Sequence, residues 1–182
     1  MKTNSLIFAT SNKNKLKEVQ SILGVSVTGT SLEINEIQSL DPIKVAVEKA
    51  KSYFKELKKP LFVEDTSLSF KALNGLPGTY ISDFERSLNY LSLAGLANGN
   101  RKATAQVTVV FIDKEGKEHI FIGRVNGTIS AKPRGKNGFG WDVIFIPEGE
   151  RRTFAEMTAE EKNKYSMRRI AFESFAKWLH KS

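Results

Sequence analysis

The sequence predicts an α/β protein with a mixed β-sheet. Short apolar runs alternate with amphipathic helices in the first third of the chain, and a β-hairpin signal follows in the second half. Alternation of this kind is typical of parallel pairing, whereas a hairpin adds antiparallel pairing, so we expect both in one sheet. Because domains run to roughly 100–200 residues, we expect residues 1–182 to form a single domain with a real core.

The first elements follow from apolar spacing and capping residues. Ser5–Ala9 predicts a buried strand, a polar turn follows, and Lys15–Leu23 predicts a helix with one apolar face. A second short strand is predicted over Leu32–Ile37. Asp41 and Pro42 form a strong helix start, since a capping side chain precedes proline in the first turn. The residues that follow repeat apolar side chains at spacings of three and four, which indicates an amphipathic helix.

The later elements include the hairpin. Leu61–Val63 predicts a strand that ends at two acids, and Ser82–Asn98 predicts one helix. Strands over Ala103–Ile112 and Glu118–Val125 flank a turn that contains glycine, which is the hairpin signal. A short strand through Ile144 comes next.

Two capping signals close the chain. Thr158 and Glu161 have the spacing of a capping box, in which each side chain bonds the other residue's backbone. Ser166 is expected to cap a last helix that carries Ala171 and Phe175 inward.

Composition limits the metal chemistry. The chain has no cysteine, which excludes disulfides and thiolate metal sites, and its two histidines, His119 and His180, make a zinc site a poor expectation. A bound metal must therefore be held by oxygen, and the hard cations Mg²⁺ and Mn²⁺ prefer such ligands.

The net charge of +8 points to an anionic partner. Nucleic acid, an acidic membrane surface and a phosphorylated small molecule all fit, and so does a lysine-rich surface that binds nothing. No block of like charge resembles a nucleic-acid tail, so no nucleic-acid partner is required. The apolar run after Lys2 is too short for a signal peptide or a membrane span, so we expect a cytoplasmic protein without a membrane partner.

Two stretches carry groups suited to phosphates and metals. The turn from Thr10 to Lys15 lies between a strand and a helix, where backbone N–H groups and two lysines suit a phosphate chain. It lacks the glycines of a Walker loop, and a capped turn with exposed lysines is the alternative. Glu64 and Asp65 follow a strand, and Glu36 ends the preceding one, so these acids are candidate Mg²⁺ ligands. Two surface acids before a turn remain the alternative.

Two further stretches suit a base. Glycines surround Phe139, Gly140, Trp141 and Asp142, so a ring could stack here and a carboxylate could accept a base N–H, although a core role for the aromatics is the alternative. In the stretch 162–169, basic residues at a helix start would oppose the helix dipole, which is consistent with a ligand role for one of them. A solvated basic face is the alternative.

These stretches, taken in order, resemble the inosine triphosphate pyrophosphatase family. The matching segments are Phe8–Leu16, Val63–Thr66, Ala72–Gly78, Gly138–Asp142, Thr153–Met157, and Lys162-Asn163 through Ser166 to Arg168. The resemblance implies an elongated mixed sheet with flanking helices in two lobes around a central nucleotide cleft, and a homodimer. It also implies that the chain hydrolyses ITP, dITP and XTP to the monophosphate and pyrophosphate with Mg²⁺, Mn²⁺ being the alternative ion.

The resemblance also implies roles for individual residues. Glu36 and Asp65 would hold the metal, Asp65 would activate water, and whether Glu64 contributes stays open. The substrate would be bound by Thr10, Ser11, Asn12, Lys13, Asn14, Lys15, Lys49, Thr66, Phe139, Gly140, Trp141, Asp142, Lys162, Met167 and Arg168.

Met167 stands where the family usually has a histidine that helps to read the base. Because methionine is no strong hydrogen-bond donor, we expect hydrolysis to survive with altered base selectivity. Two rival hypotheses remain: a basic nucleic-acid-binding module, and a nucleotide-binding relative that has lost or relaxed its activity.

Overall fold

A computed structural model describes residues 6–181 and contains one seven-stranded sheet with flanking helices. The strands are β1 (Leu6–Ala9), β2 (Val27–Thr30), β3 (Leu61–Phe70), β4 (Pro77–Gly78), β5 (Lys102–Ile112), β6 (Glu118–Ile129) and β7 (Phe145–Pro147). The helices are α1 (Lys13–Leu23), α2 (Pro42–Leu57), α3 (Ile81–Ser87), α4 (Tyr90–Gly95), α5 (Ala159–Tyr165) and α6 (Met167–Leu179). Short 3₁₀ helices cover Lys71–Leu73, Gly140–Val143 and Phe154–Glu156.

The sheet is mixed, which confirms the predicted fold class. Its strand order is β2-β1-β3-β5-β6-β7, with β4 beside β3. β1 pairs in parallel with β2 and β3, whereas β3 with β4 and β6 with β7 are antiparallel pairs. No helix within residues 6–181 is long and apolar enough to cross a membrane.

The predicted capping signals are confirmed. The Asp41 carboxylate accepts hydrogen bonds from the backbone N–H groups of Ile43 and Lys44 at the start of α2. Thr158 and Glu161 form the capping box of α5, and the Ser166 hydroxyl accepts from the Arg168 backbone at the start of α6. The predicted first strand is confirmed from Leu6, while Ser5 and Lys2 lie outside the described residues.

The strand predicted over Leu32–Ile37 is wrong. β1 instead pairs with Val27–Thr30 on one side and with β3 on the other, so neither edge of β1 is left for the later segment. Residues 31–39 are irregular: Leu32 and Ile37 are exposed, and Ile34 packs against the core. The apolar residues of Leu32–Ile37 therefore do not form a strand, because the segment has no strand to pair with in the described part of the chain.

Two further boundaries differ from the prediction. β3 does not end at Glu64 and Asp65 but continues to Phe70, so both acids lie in mid-strand. The helix predicted over Ser82–Asn98 is broken at Leu88 and Asn89, because the Asn89 side chain accepts from Ser92 N–H and starts α4. The predicted hairpin is confirmed, with Gly116 N–H donating to the Asp113 carbonyl across the turn.

The chain divides into two compact units. The first contains residues 6–65, 107–123 and 170–181. On one face of its sheet, Ala9, Leu61 and Val63 belong to a core cluster with α2 residues such as Ala46 and Ala50. On the other face Phe8 stacks on Phe62 at 4.6 Å, and both rings contact Phe172 of α6. Helices therefore cover both faces of this part of the sheet.

The second unit contains residues 66–106 and 124–169. It includes α3, α4 and α5, together with the loop of residues 130–144. Phe145 of β7 contacts Trp141 on one side and Phe154 on the other, at ring distances of 5.6 and 5.2 Å. This aromatic group anchors the Gly140–Val143 turn to the end of the sheet.

Candidate active site

The turn before α1 is held by its own side chains. Thr10 Oγ1 accepts from Asn12 N–H at 3.1 Å, and Asn12 Oδ1 accepts from the N–H groups of Asn14 and Lys15 at 2.9 and 3.1 Å. The helix therefore begins at Lys13, two residues before the predicted start. Because Asn12 already satisfies two of the helix-end N–H groups, the groups left for an anion are chiefly the lysine side chains.

Two ion pairs bring the predicted phosphate and metal residues together in the first unit. Lys15 Nζ lies 3.2 Å from Glu64 Oε1, and the Glu64 side chain is fully buried. Lys49 Nζ of α2 lies 2.7 Å from Glu36 Oε1, in the irregular segment that replaces the predicted strand. Lys15 and Lys49 are thus each paired with a carboxylate.

Asp65 lies among these charges. Burial raises the pKa of the half-buried Asp65 carboxyl, the charges of Lys15 and Lys49 oppose that rise, and the charges of Glu36 and Glu64 add to it. Burial lowers the pKa of Lys49, but the hydrogen bond and charge of Glu36, together with the charge of Asp65, outweigh burial and leave that pKa raised. Two cations and three carboxylates therefore interact around one position in mid-β3, and we call these five side chains the charged cluster.

The donor set of the charged cluster suits a hard divalent ion. Its acids offer oxygen only, and an added cation would relieve the repulsion that Asp65 receives from Glu36 and Glu64. Within residues 6–181, no three acidic or histidine side chains are grouped closely enough to enclose a metal. Mg²⁺ commonly takes only one or two carboxylates and completes its shell with water and substrate phosphates, which fits such an open group.

The second unit holds most of the predicted base residues. Asp142 Oδ2 accepts from Phe139 N–H at 2.9 Å and from Lys162 Nζ at 2.7 Å, and the side chains of Asp142 and Lys162 are each 5% exposed. A buried pair of this kind is held by hydrogen bonds as well as charge. The Asp142 carboxylate therefore determines where the Phe139 backbone lies.

The Phe139 ring is half-buried between cationic groups. Lys162 Nζ lies 5.1 Å from its centre and the Arg168 guanidinium 5.6 Å, which are cation–π distances. Arg168 is 2% exposed and contacts Thr66 Oγ1 at 3.5 Å. Together Phe139, Asp142, Lys162, Arg168 and Thr66 form what we call the aromatic cluster.

Gly138 makes the turn at Phe139 possible. Its φ of +70° favours glycine, and a side-chain carbon at this position would clash with Asp142 Oδ2. Trp141 and Met167 are 7% and 2% exposed, and Trp141 packs on Phe145. The structure thus places both side chains in the core, and their predicted contact with a base stays a prediction.

Some predicted features lie apart from both clusters or differ from expectation. Ser11, Lys13 and Asn14 are exposed at the start of α1. Lys162 does not begin a helix: it lies in the last turn of α5, where a cation is favoured by the dipole, so the expected dipole conflict is wrong for this residue.

Sequence reasoning missed two features that adjoin these clusters. Nothing in the sequence, apart from the neighbouring Asp65, indicates that Glu64 is buried and paired with Lys15. The sequence analysis also did not predict the pair of Glu85 and Tyr90. The Tyr90 hydroxyl donates to Glu85 Oε1 at 3.2 Å, and Glu85 packs beside Gly140. No local motif marks that pair, because it forms only where α3 breaks before α4.

Comparison with known proteins identifies the family of the chain. A family model described as the Ham1 family matches residues 6–178. The chain belongs to the Ham1 family. The resemblance inferred from the motifs is therefore confirmed.

This Ham1 chain has relatives that match it over nearly their whole length. It is 41% identical over 177 residues to the dITP/XTP pyrophosphatase of Thermococcus kodakarensis, with 96% of each chain covered. It is 38% identical over 196 residues to the inosine triphosphate pyrophosphatase of Saccharomyces cerevisiae, with 100% of this chain and 99% of that one covered.

Solved structures also resemble the Ham1 chain. A HAM1 protein from Coxiella burnetii has a TM-score of 0.84 at 27% identity, covering 98% of this chain and 99% of that one. A nucleoside-triphosphatase, or dITP/XTP pyrophosphatase, from Mycobacterium abscessus has a TM-score of 0.74 at 30% identity, covering 94% and 98%.

Proposed function

We propose that this Ham1 protein hydrolyses non-standard purine nucleoside triphosphates, namely ITP, dITP and XTP, to the monophosphate and pyrophosphate. The observation that carries the proposal is the charged cluster: a half-buried carboxylate, Asp65, interacting with two lysines and two further acids. The full-length relatives that bear pyrophosphatase names support the same reaction.

The lysines of the charged cluster would bind the triphosphate. Lys15 and Lys49 are both largely buried along their stems and present their ammonium groups to carboxylates. A triphosphate carries more negative charge than a carboxylate, so we propose that it draws these ammonium groups toward it. The Thr10 hydroxyl and the exposed Lys13 side chain would contribute further donors. Phosphoryl transfer depends mainly on such positioning and charge stabilisation.

The carboxylates would hold the metal. We propose that Asp65 and Glu36 bind Mg²⁺, or Mn²⁺ in its place, and that Glu64 instead orients Lys15 through their ion pair. When bound, such an ion offsets phosphate charge and makes a neighbouring water more acidic.

Asp65 would also act as the general base. A carboxylate placed beside the attacking water can accept its proton as the nucleophile forms. Asp65 takes a proton from water as the water oxygen bonds to the α-phosphorus. The bond from that phosphorus to the bridging oxygen breaks, pyrophosphate leaves, and the proton on Asp65 passes to solvent.

We propose that the aromatic cluster recognises a purine base. Phe139 offers a ring face for stacking, and Lys162 and Arg168 bring donors that suit the 6-oxo group of hypoxanthine and xanthine. Adenine presents an amino group at that position, so donor would meet donor. A site that pairs a polar group in this way can reject a mismatch by about 10⁴-fold or more.

The experiment is a product assay. We would incubate the protein with ITP, XTP, GTP and ATP, with and without Mg²⁺, and identify the released phosphate species. Pyrophosphate from ITP and XTP in the presence of Mg²⁺ is expected; orthophosphate, or no turnover, contradicts the proposal.

A variant pair tests the role of Asp65. Asp65→Asn should lower the rate about 10²–10⁴-fold, the usual worth of a general base, while the far-UV spectrum stays native. Glu56→Gln, which changes an exposed acid in the last turn of α2, is the matched control and should keep the wild-type rate. Wild-type turnover by Asp65→Asn would remove this residue from the mechanism.

The homodimer and the cytoplasmic location that the sequence analysis predicts belong to the same proposal. Light scattering after size-exclusion chromatography tests the dimer, since a mass near 20.4 kDa would indicate a monomer. Cell fractionation tests the location.

A further inference from the structure

Glu85 is a carboxylate that the proposed function does not use, and it lies against the turn at Gly140, next to Phe139 of the aromatic cluster. Glu85 lies in α3, and its Oε1 would be 2.9 Å from a side-chain carbon placed on Gly140. The φ of Gly140 is +60°, so glycine is favoured there for its backbone as well as for the space that it leaves. The carboxylate therefore packs directly on the backbone between Phe139 and Trp141.

Tyr90 holds the Glu85 carboxylate in this place. Its hydroxyl donates to Glu85 Oε1 at 3.2 Å. Burial raises the pKa of Tyr90 to about 12, with added contributions from the charge and hydrogen bond of Glu85 and from the charge of Asp142. The phenol therefore keeps its proton, and so its role as donor, throughout the neutral range.

The break between α3 and α4 is what allows this pair to form. On a continuous helix, residues three or four apart are neighbours, whereas residues five apart are not. Leu88 ends α3 in an extended conformation and Asn89 caps α4, which redirects the chain so that Tyr90 faces Glu85. The interruption of the predicted helix thus has a definite structural result.

The turn is consequently held from two sides. Asp142 binds the Phe139 N–H and Lys162 within the turn, and Glu85 packs on Gly140 from α3. We propose that Glu85, oriented by Tyr90, is a positioning residue for base recognition, because it fixes the backbone that sets the Phe139 ring. This inference rests on the proposed function, in which Phe139 stacks on the purine.

Steady-state kinetics with ITP test the proposal. Glu85→Ala should raise KM about tenfold and leave kcat within about twofold, because the base contact is lost equally from the bound substrate and the transition state. Tyr90→Phe should also raise KM, because Glu85 then loses the hydrogen bond that orients it. The double variant should resemble Glu85→Ala alone, because both changes remove one interaction.

Conservative and control variants separate positioning from general stability. Glu85→Gln keeps an oxygen acceptor for the Tyr90 hydroxyl and should restore KM to within about twofold of wild type. Asp83→Asn on the same helix removes only an exposed pair with Arg86 and should change neither constant. A fall in kcat without a change in KM, or a wild-type KM in Glu85→Ala, overturns the proposal.

A second measurement needs no substrate. In a Trp178→Phe background, Trp141 is the remaining tryptophan of the chain and reports on the turn. Acrylamide quenching of Trp141 should rise at least twofold in Glu85→Ala and stay at the parent value in Glu85→Gln. If the wild-type protein releases no pyrophosphate, the proposed function fails and this measurement alone decides the positioning role; unchanged quenching in Glu85→Ala refutes it.

Discussion

The buried pair of Asp142 and Lys162 should contribute far more to stability than an exposed pair of similar geometry. Asp142→Asn keeps an oxygen acceptor for Phe139 N–H but leaves the Lys162 ammonium in a site where both side chains are 5% exposed. Removing one partner of a buried pair costs about 3–5 kcal/mol. For a chain of this size, that loss lowers the melting temperature by about 6–20 °C, at roughly 2–4 °C per kcal/mol.

The assay is urea unfolding followed by far-UV circular dichroism. Asp83→Asn is the control, because Asp83 and Arg86 approach to 2.6 Å with side chains 52% and 73% exposed, and such surface pairs are worth about 0–1 kcal/mol. Adding Lys162→Met to Asp142→Asn should recover stability, since the unpaired charge is then gone. The reasoning is refuted if Asp142→Asn loses no more free energy of unfolding than Asp83→Asn.

Three further predictions concern single positions. Asn12→Ala should lower the free energy of unfolding by about 1 kcal/mol, because the Asn12 side chain caps α1, and thermal unfolding would show it. Burial raises the pKa of Asp65, so the folded chain binds that proton more tightly and loses stability as pH rises through the raised pKa. Asp65→Asn should therefore raise the urea midpoint at about pH 7 and leave it unchanged well below the ordinary aspartate pKa of about 3.9; equal effects at both pH values would contradict this. Gly138→Ala should cost about 1–3 kcal/mol, because φ is +70° and the new carbon meets Asp142, whereas Gly149→Ala, at φ +84° with open space, shares only the backbone strain.

The predictable parts of the fold are those decided by a few adjacent residues. The Asp41 cap, the Thr158 capping box and the hairpin at Gly116 all depend on bonds that span four residues or fewer. Sequence alone therefore contains the information needed to place them.

The wrong strand predictions concern segments whose structure depends on residues far away in the chain. Whether β1 pairs with Val27–Thr30 or with Leu32–Ile37 depends on which segment reaches its edge, and alternation of apolar residues does not reveal that. The extension of β3 through Glu64 and Asp65 likewise depends on distant residues, because other strands must pair with β3 and Lys15 of α1 must offset the buried charge of Glu64. Strand propensity is weak evidence in such cases.

The candidate site was predictable in residue type and less so in arrangement. The structure brings Lys15, Glu36, Lys49 and Asp65 near one another, while the roles that the family resemblance implies for them stay predictions. Which lysine meets which acid was not predictable, because ion pairing depends on side-chain reach across separate elements. Glu85 stayed hidden for the same reason, since its contact is with a residue far along the chain.

The charged cluster has an uneven balance of signs. With every group ionised, two lysines and three carboxylates sum to −1, so the cluster without a cation repels a free polyphosphate. A single divalent cation reverses the sign to +1 and turns repulsion into attraction. Nucleotide and cation should therefore each strengthen the binding of the other. Polyanions without a divalent cation should bind the cluster weakly.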